Sequence, residues 1–179
     1  MNQRASSSRR SSDPPADITV RPTEPGDFQA IIDMARRIYP EDTPYAPADL
    51  ASQRHIFPEG QMVAVERDTN RVMGMAASLI VNWDDYEVDT SWLDFTDEGR
   101  FTNHNPRGKT LYGADIMVHP DMQGRGGGKV IYAARRQLCR QLKLKRIRAG
   151  ARLVGYGRYA DRMTPVEYAL KVIQRQITD

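Results

Sequence analysis

One cysteine, Cys139, stands in 179 residues. That excludes a disulfide framework within the chain and a cysteine-rich zinc site. Histidine is nearly as scarce: His55, His104 and His119 are scattered, none with a partner at metal-ligand spacing, so no metal site is expected. No apolar run approaches the roughly 18 residues of a membrane span, and no signal-peptide core follows the start. These gaps predict a soluble, cytoplasmic protein with no membrane partner. Acids are missing from one long stretch. From Met122 to Ala160 there is no Asp or Glu, while Lys and Arg number eleven. The reverse holds from Asp84 to Glu98, with seven acids and no Lys or Arg. A charge run is ordinarily a solvated face. The basic stretch also reads as an anion site or a nucleic-acid surface. It lacks interleaved aromatics, and no helix-turn-helix or finger pattern appears, so no nucleic-acid partner is expected.

What is present describes an ordinary globular chain. Hydrophobic content of 40% and charged content of 27% suit a soluble domain. The length is enough for one core without disulfides. Residues 1–16 are Ser, Arg, Asp and Pro with almost nothing apolar, which predicts a disordered tail before a single domain at 17–179.

Periodicity gives the elements. Ile18–Arg21 reads as a strand. Thr23 is then expected to cap a helix carrying Phe28, Ile31, Ile32, Ala35 and Ile38 on one face. A short helix is expected over 49–55. Met62–Glu66 and Val72–Val81 read as strands joined by the turn Asp68-Thr69-Asn70. The acidic, aromatic segment 82–101 follows, and Leu111–Val118 is the next strand. After a glycine-rich turn comes a helix with Val130, Ile131, Ala134, Leu138 and Leu142 on one face. Arg135, Arg136 and Arg140 are expected to be exposed on it. Lys145–Ala151 is a strand. Thr164-Pro165-Val166-Glu167 is a capping box opening a helix with Val166, Ala169, Leu170, Ile173 and Ile177 on one face. The order β-α-α-β-β-β-α-β-α predicts an α/β (α+β) fold, a mixed sheet with helices packed on it.

The turn Gln123-Gly124-Arg125-Gly126-Gly127-Gly128 sits between a strand and a helix, where backbone N–H groups and the helix dipole can converge on phosphate. A Walker A loop fails: Gln123 replaces the first Gly, and Val130 stands where Ser or Thr holds magnesium. A dinucleotide fingerprint fails too, because Lys129 takes its third Gly. The pattern that fits is [QR]-x-x-G-x-[GA], with Gln123, Gly126 and Gly128. Read with the preceding Asp115–Met122, it resembles the GNAT superfamily of N-acetyltransferases over roughly residues 17–160. The stretches Arg54–Gly60, Asn103–Pro106 and Leu111–Gly113 resemble a subgroup often followed by a carbon–nitrogen hydrolase domain.

The resemblance implies a mainly antiparallel sheet with helices on both faces. It implies acetyl-CoA as cosubstrate. Its pyrophosphate would lie on the backbone of Gly124, Arg125, Gly126, Gly127, Gly128 and Lys129, with Gln123 ordering the loop. Arg125 and Lys129 would also be charge partners, and Met117 and Val118 would pair by backbone with the pantetheine arm. Gly127 departs from the family, where a larger apolar residue is usual. Glycine costs about 1 kcal/mol there, and a looser loop is expected.

The chemistry implied is direct attack by a neutral amine on the thioester, which needs a base, a donor for the thioester oxygen and an acid for the thiolate. Asp115, an acid in an apolar strand, is the candidate base, against a plain solvent-facing or hydrogen-bonding role. Tyr156 and Tyr159 are candidate acids, against ordinary packing. Cys139, inside a helix, reads as a packed residue rather than a nucleophile. His119 reads as structural. The acids and aromatics of 83–98 could attract a cationic amine, or form a solvated lobe or partner surface. The acceptor would be a small-molecule or peptide amine. The closing strands of the family are not identifiable before Asp179, so the chain is expected to be a piece of a longer protein. The competing reading is a CoA-binding regulatory domain, without turnover, of a larger enzyme such as a carbon–nitrogen hydrolase fusion.

Overall fold

The computed structural model describes residues 17–40, 45–87, 89–122 and 126–178. The predicted disorder of 1–16 lies outside the described residues. Two compact units divide the chain, one through Ala149 and one from Gly150 to Asp179.

The first unit holds β1 (Ile18–Pro22), α1 (Phe28–Ile38), α2 (Pro47–Ile56), β2 (Met62–Glu66), β3 (Val72–Val81), α3 (Trp92–Thr96), β4 (Thr110–Val118), α4 (Gly127–Gln141) and β5 (Arg146–Ala149). The strands form one sheet in the order β1-β2-β3-β4-β5. Neighbours are antiparallel except β4 and β5, which run parallel. This is the mixed, mainly antiparallel sheet that the sequence predicts. Short α3 inside the acidic segment is an addition to it.

Helices cover both faces, which is why β2 and β3 are apolar almost without interruption. On one face Ile31, Ile32, Met34 and Ala35 of α1 and Leu50 of α2 pack on Val63, Val65, Met75, Ala77, Leu79 and Val81. On the other, Leu138 and Cys139 of α4 meet Ile80 and Leu111, and Ile131 meets Ala64 and Ala76. The Sγ of Cys139 points to the carbonyls of Leu144 and Arg146 at 3.7 and 3.9 Å, the packed role expected of it.

Several local expectations need correction. Thr23 does not cap α1. Its N–H donates to the Gln61 carbonyl at 2.9 Å, and its own carbonyl accepts from Arg54 Nε at 3.0 Å. A single 3-10 turn, Pro25–Asp27, leads into the helix instead. There the Asp27 carboxylate accepts the Glu24 N–H at 2.8 Å and both Arg21 Nη groups at 2.7 and 2.9 Å. Leu142 is exposed, since it lies past the end of α4. Arg135, expected on the surface, is 1% exposed. β5 is shorter than the predicted 145–151, and its Arg148 guanidinium sits 5.4 Å over the Trp83 ring.

The second unit carries a 3-10 turn, Tyr156–Arg158, and α5 (Pro165–Ile173). The capping box is present: Thr164 Oγ accepts from Glu167 N at 3.3 Å, and Glu167 Oε2 accepts from Thr164 N at 2.8 Å. The apolar stripe Val166, Leu170 and Ile173 is exposed, and the buried residue of α5 is Tyr168. Among the described residues no strand follows β5. No helix among them is long and apolar enough to cross a membrane.

Candidate active site

The site begins with a one-residue slip in β4. Gly113 pairs with Ser78 and Asp115 with Ala77, so Ala114 is an extra residue, a β-bulge. Strict alternation would put Leu111, Gly113, Asp115 and Met117 on one face. The slip reverses the phase. Leu111 lies with α4, whereas Tyr112, Ala114 and Met117 lie with α1 and α2. Asp115 is thereby turned to the α1–α2 face.

The same place ends the β4–β5 pair. The parallel register stops at Gly113–Ala149, and β4 continues to Val118 without that neighbour. His119 N–H donates to the Met73 carbonyl at 2.9 Å. Alternation along an antiparallel ladder then directs the N–H and C=O of Met117 to β3. Those of Ile116 and Val118 face away from it, along the edge that β5 has left. Of Met117 and Val118, the latter presents its backbone on the open side. Met117 contributes a buried side chain.

Asp115 is half-buried, and each of its carboxylate oxygens accepts a hydrogen bond. Its Oδ2 accepts from the Tyr45 hydroxyl at 2.7 Å, and its Oδ1 from the Ile116 N–H at 2.7 Å. Burial raises its pKa above the ordinary carboxylate value. The bonds from Tyr45 and Ile116 and the charge of Arg135 pull the other way without cancelling it. Burial and the carboxylate together push the Tyr45 hydroxyl well above an ordinary tyrosine.

Side chains replace the ladder bonds that the bulge removes. The Ala114 carbonyl accepts from Trp92 Nε1 at 2.9 Å. Arg135 arrives from α4 on the opposite face. Its Nε donates to Ser78 Oγ at 3.0 Å, and its Nη2 to the Ala77 carbonyl at 2.8 Å and to the carbonyl of Asp115. Burial lowers the pKa of Arg135, and the charge of Asp115 opposes that.

Gly126 opens α4 in a left-handed conformation (φ 89°, ψ 0°) that favours glycine. Lys129 N–H donates back to the Gly126 carbonyl at 3.0 Å. The N–H groups of Gly127 and Gly128 have no acceptor within the helix. A Cβ at Gly127 would come within 3.3 Å of Val118 Cγ1. This helix terminus therefore abuts the open end of β4. Lys129 is exposed beside it, as are Arg136 and Arg140 farther along α4. Gln123, Gly124 and Arg125 lie outside the described residues.

The other singled-out residues have structural partners. Tyr156 donates to the Met163 carbonyl at 3.0 Å, and its ring lies 5.6 Å from Tyr168, edge-on. Tyr159 lies 5.4 Å from the same ring and takes Arg162 over its face. These contacts are internal to the second unit. In the first, His119 Nδ1 accepts from Asp121 N–H at 3.3 Å. Asn103 Nδ2 donates to Tyr86 Oη and the Phe95 carbonyl at 2.9 and 2.8 Å, while Trp83, Tyr86, Phe95 and Tyr112 pack ring to ring. Much of the aromatic content of 83–98 is thus core. Among the described residues no group of three or more His, Cys, Asp or Glu side chains could hold a metal ion.

Sequence reasoning missed Tyr45, Trp92 and Arg135 as partners of the site. Arg135 left a trace: it follows Ile131 by four and precedes Leu138 by three, so it lies on the buried stripe. Gly113 in an apolar strand marks a close approach, and a Cβ there would lie 2.7 Å from Arg135 Nη1. Tyr45 left none, for its partner is 70 residues away.

Comparison with known proteins bears on the family of the chain. Residues 28–156 match the model of the acetyltransferase (GNAT) family. The chain is similar to "Probable hydrolase YhcX" of Bacillus subtilis (strain 168), at 38% identity over 90% of the chain, but it spans only 31% of that protein. It is similar to "Uncharacterized N-acetyltransferase YkwB" of the same organism, at 30% identity over 90% of the chain and 73% of that protein. In fold it resembles the GphF GNAT-like decarboxylase solved with isobutyryl-CoA, with a TM-score of 0.68 and 16% identity, over 83% of this chain and 73% of that one. With the family model covering most of its length, the chain belongs to the acetyltransferase (GNAT) family.

Proposed function

We propose that this chain transfers an acetyl group from acetyl-CoA to a primary amine, with Asp115 as the base. The observation that carries the reading is the coincidence of three features at one point of the sheet. β4 and β5 part after Gly113, the bulge turns Asp115 to the face opposite α4, and the free N–H groups of α4 begin beside Val118. Acyl-CoA chemistry fits these groups. A pyrophosphate suits the N–H groups of Gly127 and Gly128 with Lys129 nearby, and a pantetheine amide suits the unpaired backbone of Val118. The family resemblance implies the same use for Gln123, Gly124 and Arg125, which lie outside the described residues.

Bound acyl-CoA supplies an activated acyl carbon. Asp115 takes a proton from the incoming ammonium, the amine nitrogen bonds to the acyl carbon, and the carbon–sulfur bond breaks. The nitrogen gives up its second proton as the amide forms, and the departing thiolate gains one, for which Tyr156 and Tyr159 are the sequence's candidate acids. A base works best when its pKa lies near the working pH. The upward shift of Asp115 by burial moves it in that direction. Tyr45 holds the carboxylate at a fixed angle.

The test is acetyl-CoA-dependent thiol release with a panel of amines, on the full-length protein. Asp115→Asn is expected to lower turnover by about 10²- to 10⁴-fold. Acetyl-CoA affinity by calorimetry should stay the same, and the exposed control Arg136→Ala should behave as wild type. Tight CoA binding without release for any amine would favour a regulatory CoA-binding domain, a reading to which the 31% span of a probable hydrolase lends weight. No CoA binding would end both readings.

A further inference from the structure

Arg135 is a cation buried against the sheet, and its guanidinium lies over Gly113. A side chain at Gly113 would meet its Nη1 at 2.7 Å and its Cζ at 3.0 Å. Glycine leaves space for the guanidinium against the strand. From there the fork reaches three oxygens that straddle the slip: Ser78 Oγ and the Ala77 carbonyl on β3, and the Asp115 carbonyl on β4. Two of them belong to Ala77 and Asp115, the pair just beyond the extra residue. Straightening β4 would leave those acceptors without their donor in a desolvated site, which is unfavourable. All three acceptors are neutral, and the carboxylate that offsets the buried charge is that of Asp115, on the far face of the same strand.

We infer that Arg135 is a positioning residue for Asp115: seated on Gly113, it holds open the bulge that turns the Asp115 side chain toward Tyr45. The inference rests on the reading of Asp115 as the base, and it makes Gly113 and Arg135 one device. The charged or titratable groups that bear on Asp115 are Tyr45 from the segment before α2 and Arg135 from α4. Tyr132, one turn before Arg135, bears on the guanidinium in turn.

Three variants test it. Arg135→Lys keeps the charge but loses the fork. Arg135→Met loses both. Gly113→Ala keeps the arginine and takes its seat. Turnover is referred to folded protein by circular dichroism, and the Asp115 carboxyl is titrated by ¹³C NMR, its signal assigned by loss in Asp115→Asn. With the base misplaced by about 1 Å, kcat falls by about 100-fold in Arg135→Lys and Gly113→Ala. KM for acetyl-CoA stays at the wild-type value. In Arg135→Met the Asp115 titration moves to higher pH, because a nearby positive charge has gone; in Arg135→Lys it moves less. Full kcat in both Arg135→Lys and Gly113→Ala overturns the inference, as does an unmoved titration in Arg135→Met. Should the methionine variant not fold, the other two decide. The carboxyl titration needs no turnover. If Asp115→Asn is fully active, the base assignment falls alone, and the titration still judges the hold of Arg135 on Asp115.

Discussion

The ring of His104 is held by a backbone group: Ile80 N–H donates to its Nδ1 at 3.0 Å, and the ring stacks on Phe57 at 4.6 Å between centroids. Only an unprotonated Nδ1 can accept that bond. Burial lowers the pKa of His104 from its ordinary value of 6.5. The folded pKa is therefore the lower one. The stability this contributes is complete above the unfolded pKa and is lost as pH falls through the folded one. Urea unfolding at about pH 7.5 and about pH 5 should show the wild type weakening more than His104→Asn, whose amide oxygen accepts at either pH. Equal weakening would refute this. Asp115 works in the opposite sense. Its folded pKa is raised, so stability held below the unfolded pKa is lost as pH rises through the folded one. The charge that suits a base is one the fold does not favour. The role of His104 was not legible in the sequence, and that of Asp115 only in part. His104 is one of three scattered histidines, and an acid in an apolar strand does not name the tyrosine that holds it.

At the level of elements the sequence was more open. The runs Met62–Glu66 and Val72–Val81 have the predicted ends, because unbroken apolar stretches bounded by turn residues leave little choice. The capping box at Thr164 was also readable, since both partners lie within one turn. Removing it in Thr164→Ala should cost about 1 kcal/mol. The loss should appear as faster hydrogen exchange at the first turns of α5, with α4 unchanged, and protected α5 amides in the variant would count against it. Thr23 shows where such reasoning stops. It has the chemistry of a cap, but Gln61 and Arg54 claim its backbone, and the chain enters α1 through the 3-10 turn Pro25–Asp27, where Asp27 accepts from Glu24 N–H. The bulge in β4 was harder to read for a related reason. The side chains that bond to its backbone are Trp92 from α3 and Arg135 from α4, and neither is local to the strand.

Across the whole molecule the net charge of +3 conceals a strong asymmetry, with eleven cations and no acid over Met122–Ala160. Coenzyme A carries a pyrophosphate and a 3′-phosphate, so a field of this kind would draw it toward α4. Screening shortens from about 10 Å at 0.1 M salt to about 3 Å at 1 M. KM for acetyl-CoA should rise severalfold over that range while kcat holds, measured by thiol release. A flat KM would show that the cations do not act together. The amine is another matter, for nothing in the acidic segment names it once Trp83, Tyr86 and Phe95 are committed to the core.

Seen as a ruler, β4 is nine residues long, but its two ends are counted in different frames. Excising Ala114 would leave Gly113 and Asp115 each on its present side, so the hydrophobic interior could close over the gap. The loss would fall on the bonds that Trp92 and Arg135 make to the backbone of Ala114 and Asp115. A single supernumerary residue thus gives two helices on opposite sides of the sheet a hold on the same strand.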